Sequence, residues 1–411
     1  MEKSHRKGSR DPAPTRRAVL AGAAATAAAV TIGAEAPLAR GQGRKVRLGV
    51  VGCGGRGAWI ARLFLRHGGY EIAAVADYFQ EVADACGDAV GTPAGRRFSG
   101  LSGYRRLMES GVEAVALETP PYFFPEHAAA AVEAGLHVYM AKPVAVDAWG
   151  CRVIEQAAAK ATRAGRVFLV DYQMPTDPGN IEVVRRIRAG EIGKVVMLNS
   201  HYFGGQFSDP PLGKTIESRL RHLVWVNDTA LGSGYHGNAC IHAIHAAMWV
   251  AGATPVAVMG VSTRGRPDPH GDTHDLYSIT FEYAGGLLHN HRARHLNDRL
   301  SGYDFCACLV HGQKGWANVA YNGNATLLTD TDAVKEEVSN LYEAGAVRNI
   351  ASFHKAVLAG DAANDTVRAA VDSCLATVAA REACLRRTRL TLEQVRRENR
   401  RLKVNLTGLR A

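Results

Sequence analysis

The sequence lacks a long uninterrupted hydrophobic run, a C-x-x-C pair and any internal repeat. Without a run of about 20 apolar residues, no stable membrane span is expected. The eight cysteines, Cys53, Cys86, Cys151, Cys240, Cys306, Cys308, Cys374 and Cys384, are scattered and outline no disulfide framework. They read as small buried residues of a fold that matures reduced, with Cys306 and Cys308 on one face of a strand. Also missing is a basic face interleaved with aromatics, although the formal net charge is +10. The excess lies at the two ends, in Lys3, Arg6, Lys7, Arg10, Arg16 and Arg17 and again from Arg386 to Arg401, so nucleic acid is not an expected partner. What is present is a chain of 411 residues, 47% hydrophobic and 21% charged, which is globular in composition and long enough for two cores.

Arg16 and Arg17 precede the alanine-rich run "AGAAATAAAVTIGA", a basic region leading into a mildly apolar one. The pair resembles a twin-arginine export signal, although Val19 stands where phenylalanine is more usual. Residues 1–43 are therefore set aside as signal and linker, with cleavage expected between Ala34 and Gly43 and a periplasmic or otherwise exported product.

From Lys45 strand and helix patterns alternate. The strand patterns are "KVRLGVVG", "YEIAAVAD", a short one near Arg97, "VEAVALETPP", "HVYMAKP" and "RVFLVDYQ". Period-two strands follow from about Ile192 to Asp330, and helical spacing returns after Gly345. The expected class is α/β: an N-terminal Rossmann doubly wound parallel sheet at 44–174, then an α+β domain with an open, mostly antiparallel sheet at 175–345. Helices at 346–385 are expected to pack back on the first domain, and a basic arm, either solvated or clasping a neighbour, fills 386–411.

Between the first strand and the first helix stands "VVGCGGRGAW". Gly52 permits the tight turn, Gly54 lets backbone N–H groups approach a pyrophosphate, and Gly57 allows helix and strand to pack closely. Cys53, Gly55 and Arg56 complete this cofactor loop. Asp77 ends the second strand, where a carboxylate accepts hydrogen bonds from an adenosine ribose and repels a 2′-phosphate. The neighbouring Tyr78-Phe79 supplies no arginine to hold that phosphate, so NAD is favoured over NADP.

With "VEAVALETPPYFFPEHAAAAVEAGLHVYMAKPVA", "IRAGEIGKVV" and "GSGYHGNACIHAIHAAMWVAGATPVAV", the sequence resembles the glucose-fructose oxidoreductase, inositol dehydrogenase and MocA family, written Gfo/Idh/MocA. The resemblance implies a nicotinamide cofactor on the first domain and a sugar, cyclitol or related polyol between the two. The family's E-K-P appears as Ala141-Lys142-Pro143, which keeps the lysine that contacts substrate and cofactor and loses its acidic neighbour. The D-x-x-x-H-x-x-D signature appears as Asn238, His242 and His245, with His242 at the position of the general base. Its spacing of four and then three residues places all three side chains on one helical face. Asn238 retains a hydrogen bond to a sugar hydroxyl, and His245 is either a core histidine or a substrate contact.

Thr119, Pro120 and Pro121 end the fourth strand where the family passes the nicotinamide ribose, with His127 close by; Tyr172 and Gln173 follow the sixth strand and are expected to line the substrate cleft. Arg292 and Arg294 either meet substrate or lie on the sheet. A metal held by His236, His242 and His245 with Asn238 and Asp275 is an alternative that the family's chemistry does not need, so none is expected, and the histidines of "LLHNHRARH" are explained by an exposed strand face.

The function this implies is an exported NAD-dependent oxidoreductase acting on a secondary hydroxyl of a sugar, glycoside or cyclitol. Its cofactor is tightly held, because little free NAD exists outside the cytoplasm, and its assembly is a homo-oligomer, dimer or tetramer. Two rivals remain: a glycosidase working by transient oxidation and elimination, and a catalytically silent NAD-binding sensor.

Overall fold

Continuous apolar runs become the strands of a six-stranded parallel sheet: β1 (Val46–Val51), β2 (Tyr70–Asp77), β3 (Arg97–Ser99), β4 (Ala114–Leu117), β5 (His137–Met140) and β6 (Phe168–Val170). A computed structural model describes residues 44–411 except 206, 211–214, 268 and 297–304; the export signal read from Arg16 and Arg17 lies outside the described residues. Helices α1 (Gly55–His67), α2 (Gln80–Val90), α3 (Gly103–Met108), α4 (Phe124–Glu133) and α5 (Ala148–Arg163) join these strands. The strand order is β3-β2-β1-β4-β5-β6. The order reverses at β1, so the crevice for a ligand opens at the carboxyl ends of β1 and β4, where Gly52 and Glu118 stand.

After α6 (Pro178–Arg188), strands β7 (Val195–Gly204), β8 (Ala257–Thr263), β9 (Leu276–Glu282), β10 (Leu288–His295), β11 (Cys306–Gly312), β12 (Gly315–Ala320), β13 (Gly323–Thr329) and β14 (Ala333–Val338) build a second sheet, completed by β15 (Leu390–Thr391). Its order is β14-β13-β12-β11-β7-β10-β9-β8-β15, antiparallel except where β10 runs parallel to β7. The sheet thus extends past Asp330 and takes an edge strand from the C-terminal region, neither of which the alternation shows. Between β7 and β8 lie α7 (Ile216–Arg219), α8 (Thr229–Gly232), a π turn (His236–Cys240) and α9 (Ile241–Ala251). Nine of the residues of α9 from Ile241 to Val250 are buried, because it is covered by the second sheet on one side and by a long helix on the other.

That helix is α11 (Asp365–Arg386), which follows α10 (Leu341–Ala359). α10 packs on α1, while α11 packs on α5, β6 and β8, so the two domains share one hydrophobic core running from Val51 through Ile244 to Val378. The last helix, α12 (Leu392–Glu398), opens on a capping box in which the Thr391 hydroxyl accepts from the Gln394 N–H and the Gln394 side chain accepts from the Thr391 N–H. Beyond it the basic arm is tied down by backbone hydrogen bonds while many of its side chains stay exposed. The Trp149 N–H donates to the Arg400 carbonyl at 3.3 Å, the Leu402 N–H donates to Asp147 at 2.6 Å, and the Leu101 N–H donates to the Arg410 carbonyl at 3.0 Å. The arm therefore lies along the first domain of its own chain.

Candidate active site

A cavity of about 980 Å³ opens at the crevice of the first sheet and runs to α9. At one end is the glycine loop. Gly52 has φ +92, and a Cβ there would lie 2.7 Å from the Glu118 carbonyl carbon; a Cβ on Gly57 would lie 1.8 Å from the Gly52 oxygen. Gly54 and Gly55 face open space, and no side chain caps α1, so its first N–H groups are turned toward the cavity with the positive end of the helix. Asp77 accepts from the Cys53 N–H at 2.8 Å and from the Phe79 N–H at 3.0 Å, which fixes its carboxylate beside the loop at the cavity wall. A bare main-chain cradle with a carboxylate next to it fits the pyrophosphate and adenosine ribose of NAD.

Sequence reasoning missed the arginine that reaches this end. Arg221, from the stretch after α7, lies over the Phe79 ring at 3.7 Å and pairs with Glu81 at 2.7 Å. No local pattern announces it, because it is brought to Asp77 from the other domain; with Glu81 taking its charge and Asp77 adjacent, the site still disfavours a 2′-phosphate.

Midway along the cavity four charged groups meet. Arg56, from the glycine loop, pairs with Glu118 at 2.9 Å and with Asp171, both carboxylates being fully buried. Burial, against the opposing pull of Arg56, raises the Glu118 carboxyl to about 7. Lys142 is brought down to about 7 by burial and by the Arg56 cation, while Asp171 and Glu118 hold it up. Its Nζ donates to the Asn238 carbonyl. Arg56 is thus a charge partner of this cluster as well as a member of the loop, and Glu118 and Asp171 are site residues that the sequence reading did not single out.

Lys142, Asn238, His242 and Gln173 line the inner end together with Tyr202, Phe305 and Tyr321. Burial first, then the Lys142 cation, holds His242 well below the ordinary histidine range, so it is neutral at physiological pH. The Tyr321 hydroxyl donates to the Gln173 side chain at 3.2 Å. Thr119, Pro120 and His127 lie on the wall, with Thr119 Oγ1 3.3 Å from His127 Nδ1; burial lowers His127 to about 4.

Two expected substrate contacts stand elsewhere. His245 stacks on Tyr172 at 4.0 Å behind the wall, and the Tyr172 hydroxyl bonds Ser373, so neither lines the cavity. Within α9 the two histidines are three residues apart and so diverge around the helix, and only His242 faces in. The metal set once considered is not assembled either: Asp275 is an ion-pair partner of Arg266 and accepts from two N–H groups. His289, His291 and His295 are fully buried, with Arg292 and Arg294 on the opposite strand face, which corrects the reading of those histidines as surface residues.

Residues 46–172 match the family model described as "Oxidoreductase family, NAD-binding Rossmann fold", and residues 181–318 match "GFO/IDH/MocA C-terminal domain". An inositol 2-dehydrogenase of Klebsiella pneumoniae is 30% identical over 187 residues, 44% of this chain and 54% of its own. The matched stretch thus spans about half the length of the first curated relatives. Among solved structures, the aldose-aldose oxidoreductase of Caulobacter crescentus complexed with glycerol superposes with a TM-score of 0.67 at 21% identity, covering 85% of this chain and 100% of its own. A levoglucosan dehydrogenase in complex with NADH and levoglucosan gives a TM-score of 0.71 at 17% identity over the same shares. Among the described residues no helix is long and apolar enough to cross a membrane.

Proposed function

The chain belongs to the Gfo/Idh/MocA oxidoreductase family, with an NAD-binding Rossmann domain, and on that premise we propose that it oxidises a secondary hydroxyl of a sugar, glycoside or cyclitol at a retained NAD. The observation that carries this reading is a single cavity with the glycine loop and Asp77 at one end and Lys142, Asn238 and His242 at the other. The loop N–H groups and Asp77 would hold the nucleotide, whose nicotinamide supplies a two-electron acceptor when bound.

The chain's own part is position and proton transfer. Lys142, balanced near neutrality, takes the hydroxyl proton as the free amine in place of His242, whose imidazole burial and the Lys142 cation make a weak base, and then gives that proton to solvent. Neutral His242 and the Asn238 side chain orient neighbouring hydroxyls, and Tyr202, Phe305 and Tyr321 keep bulk water from the reacting carbon.

We also infer export through the twin-arginine route, supported by Arg16, Arg17 and the alanine-rich run after them. That route carries folded, cofactor-loaded proteins, which agrees with retention of the nucleotide.

Purified protein tested against cyclitols, aldoses and aryl glycosides, following nicotinamide absorbance and aglycone release together, decides the reaction. Reduction of the nucleotide by an added polyol supports oxidation. Aglycone release without net reduction replaces the reading with a redox-assisted glycosidase, and silence across the panel with bound NAD points to a sensor.

A further inference from the structure

Behind the cavity wall, three side chains from two elements converge. His236 and Cys240 open and close the π turn, and His291 reaches them from β10; all three are fully buried, and their ligating atoms lie within 4.8 Å of one another. A π turn brings residues four apart onto one side, and such turns recur where a fold builds a site.

The hydrogen bonds around these groups are incomplete. His291 Nδ1 lies 2.8 Å from the Ser200 hydroxyl, which in turn lies 2.7 Å from His289 Nε2. The tautomer that suits a ligand has His291 donating from Nδ1 to Ser200 and Ser200 donating to His289 Nε2, which leaves the His291 Nε2 lone pair free. His291 Nε2 has no hydrogen-bond partner, and neither ring nitrogen of His236 has one. His236 is held by stacking on Tyr277 at 4.6 Å and meets the His291 ring edge-on at 5.7 Å. Buried nitrogens left unpaired are costly, and a fold that brings one from each of two histidines to the same thiol calls for an occupant.

We propose that His236, Cys240 and His291 form a structural zinc site that fastens the π turn to β10. Two imidazole nitrogens and a thiolate suit a borderline-soft cation and exclude magnesium and calcium, which take oxygen ligands. The outer bond from His291 to Ser200 is the kind of second contact that fixes a ligand's tautomer. Ligands of a four-coordinate zinc lie about 3.5 Å apart, so binding draws the three side chains together from their present spacing and leaves the fourth position to a water molecule. The Cys240 thiol loses its proton to solvent as the Zn–S bond forms. Two cations lie nearby: Lys142, which donates to the Asn238 carbonyl, and Arg381, which is occupied by the Val146 carbonyl, the Ser233 hydroxyl and, at 3.6 Å, Glu382. The turn also carries Asn238, whose carbonyl accepts from Lys142, so the ion steadies the catalytic lysine's partner from behind.

The test uses the full chain produced in zinc-supplemented medium and purified without chelators. Elemental analysis is expected to find close to one zinc per chain. Chelation and refilling with cobalt should give a thiolate charge-transfer band in the near ultraviolet at one equivalent. Cys240→Ala and His291→Ala should lose both signals, and Cys308→Ala, a buried thiol on β11, should keep them. Should the two ligand variants fail to fold, the wild-type cobalt spectrum still decides. Folded wild-type protein with less than a tenth of an equivalent of zinc or cobalt overturns the site, as does bound cobalt without a thiolate band. Neither outcome depends on turnover, so the oxidoreductase reading stands or falls separately.

Discussion

At the scale of single residues, the most telling feature is where the acidic group went when E-K-P became Ala141-Lys142-Pro143. Leu117 pairs with Met140 across β4 and β5, so the residues that follow them, Glu118 and Ala141, stand side by side at the strand ends. The carboxylate missing from one strand is present on its neighbour, paired with Arg56 and acting on Lys142. A linear motif cannot show this, because the replacement is adjacent only through the sheet. The anion of Glu118 holds the Lys142 ammonium up; removing it favours the free amine at lower pH. Glu118→Gln is therefore expected to move the rising limb of the pH–rate profile, which lies near the Lys142 value of about 7, toward acid, and Glu118→Ala with Ala141→Glu to move it back. An unchanged limb in Glu118→Gln would show that Asp171 alone sets the lysine. Lys142→Met should retain NAD and lose about 10²–10⁴-fold in turnover, which single-turnover kinetics with prebound nucleotide would measure.

At the scale of elements, the parallel strands and their helices were legible because each carries its own period, and α1 and β2 fall on the residues that pattern marks. Besides β14 and β15, three features were not. The π turn is invisible to a search for helical spacing, which runs Asn238 onto one face with His242 and His245 as though a single α-helix held all three. The parallel pairing of β7 with β10 depends on contacts between strands far apart in the chain.

The third is the C-terminal arm, whose charges suggested a solvated tail while its backbone bonds tie it down. Its end lies at the rim of the adenosine end of the cavity: the Arg410 N–H donates to the Tyr78 hydroxyl at 3.2 Å, and Tyr78 and Leu101, both bonded to Arg410, line the cavity. Deleting residues 402–411 removes these bonds, each worth about 1 kcal/mol net, so NAD is expected to dissociate on the order of tenfold faster while the fold and the chemistry persist. Stopped-flow displacement of the nucleotide checks this, and an unaltered off-rate would reduce the arm to a cover over α5.

At the scale of the whole molecule, the question is what meets the open face of the second sheet. One face is covered by α9 and α11, which explains why its inward residues, the histidines of β10 among them, are buried. Across the other face the register aligns Leu288, Met197, His311, Trp316 and Leu328 in one row over five strands, and Met259 and Val261 extend the apolar surface on β8. Leu288, Trp316, Leu328, Met259 and Val261 are all exposed in the single chain. Burying such a row between two copies related by a two-fold axis removes apolar surface that a monomer leaves in water. The expected assembly is therefore a dimer, or a dimer of dimers, joined sheet to sheet. Leu288→Lys with Trp316→Lys sets like charges against each other across that axis and should yield monomers in light scattering, with NAD content unchanged because the row is remote from the cavity lining. If the unmodified protein is already monomeric at micromolar concentration, the row belongs to some other contact and the sheet-to-sheet dimer is wrong.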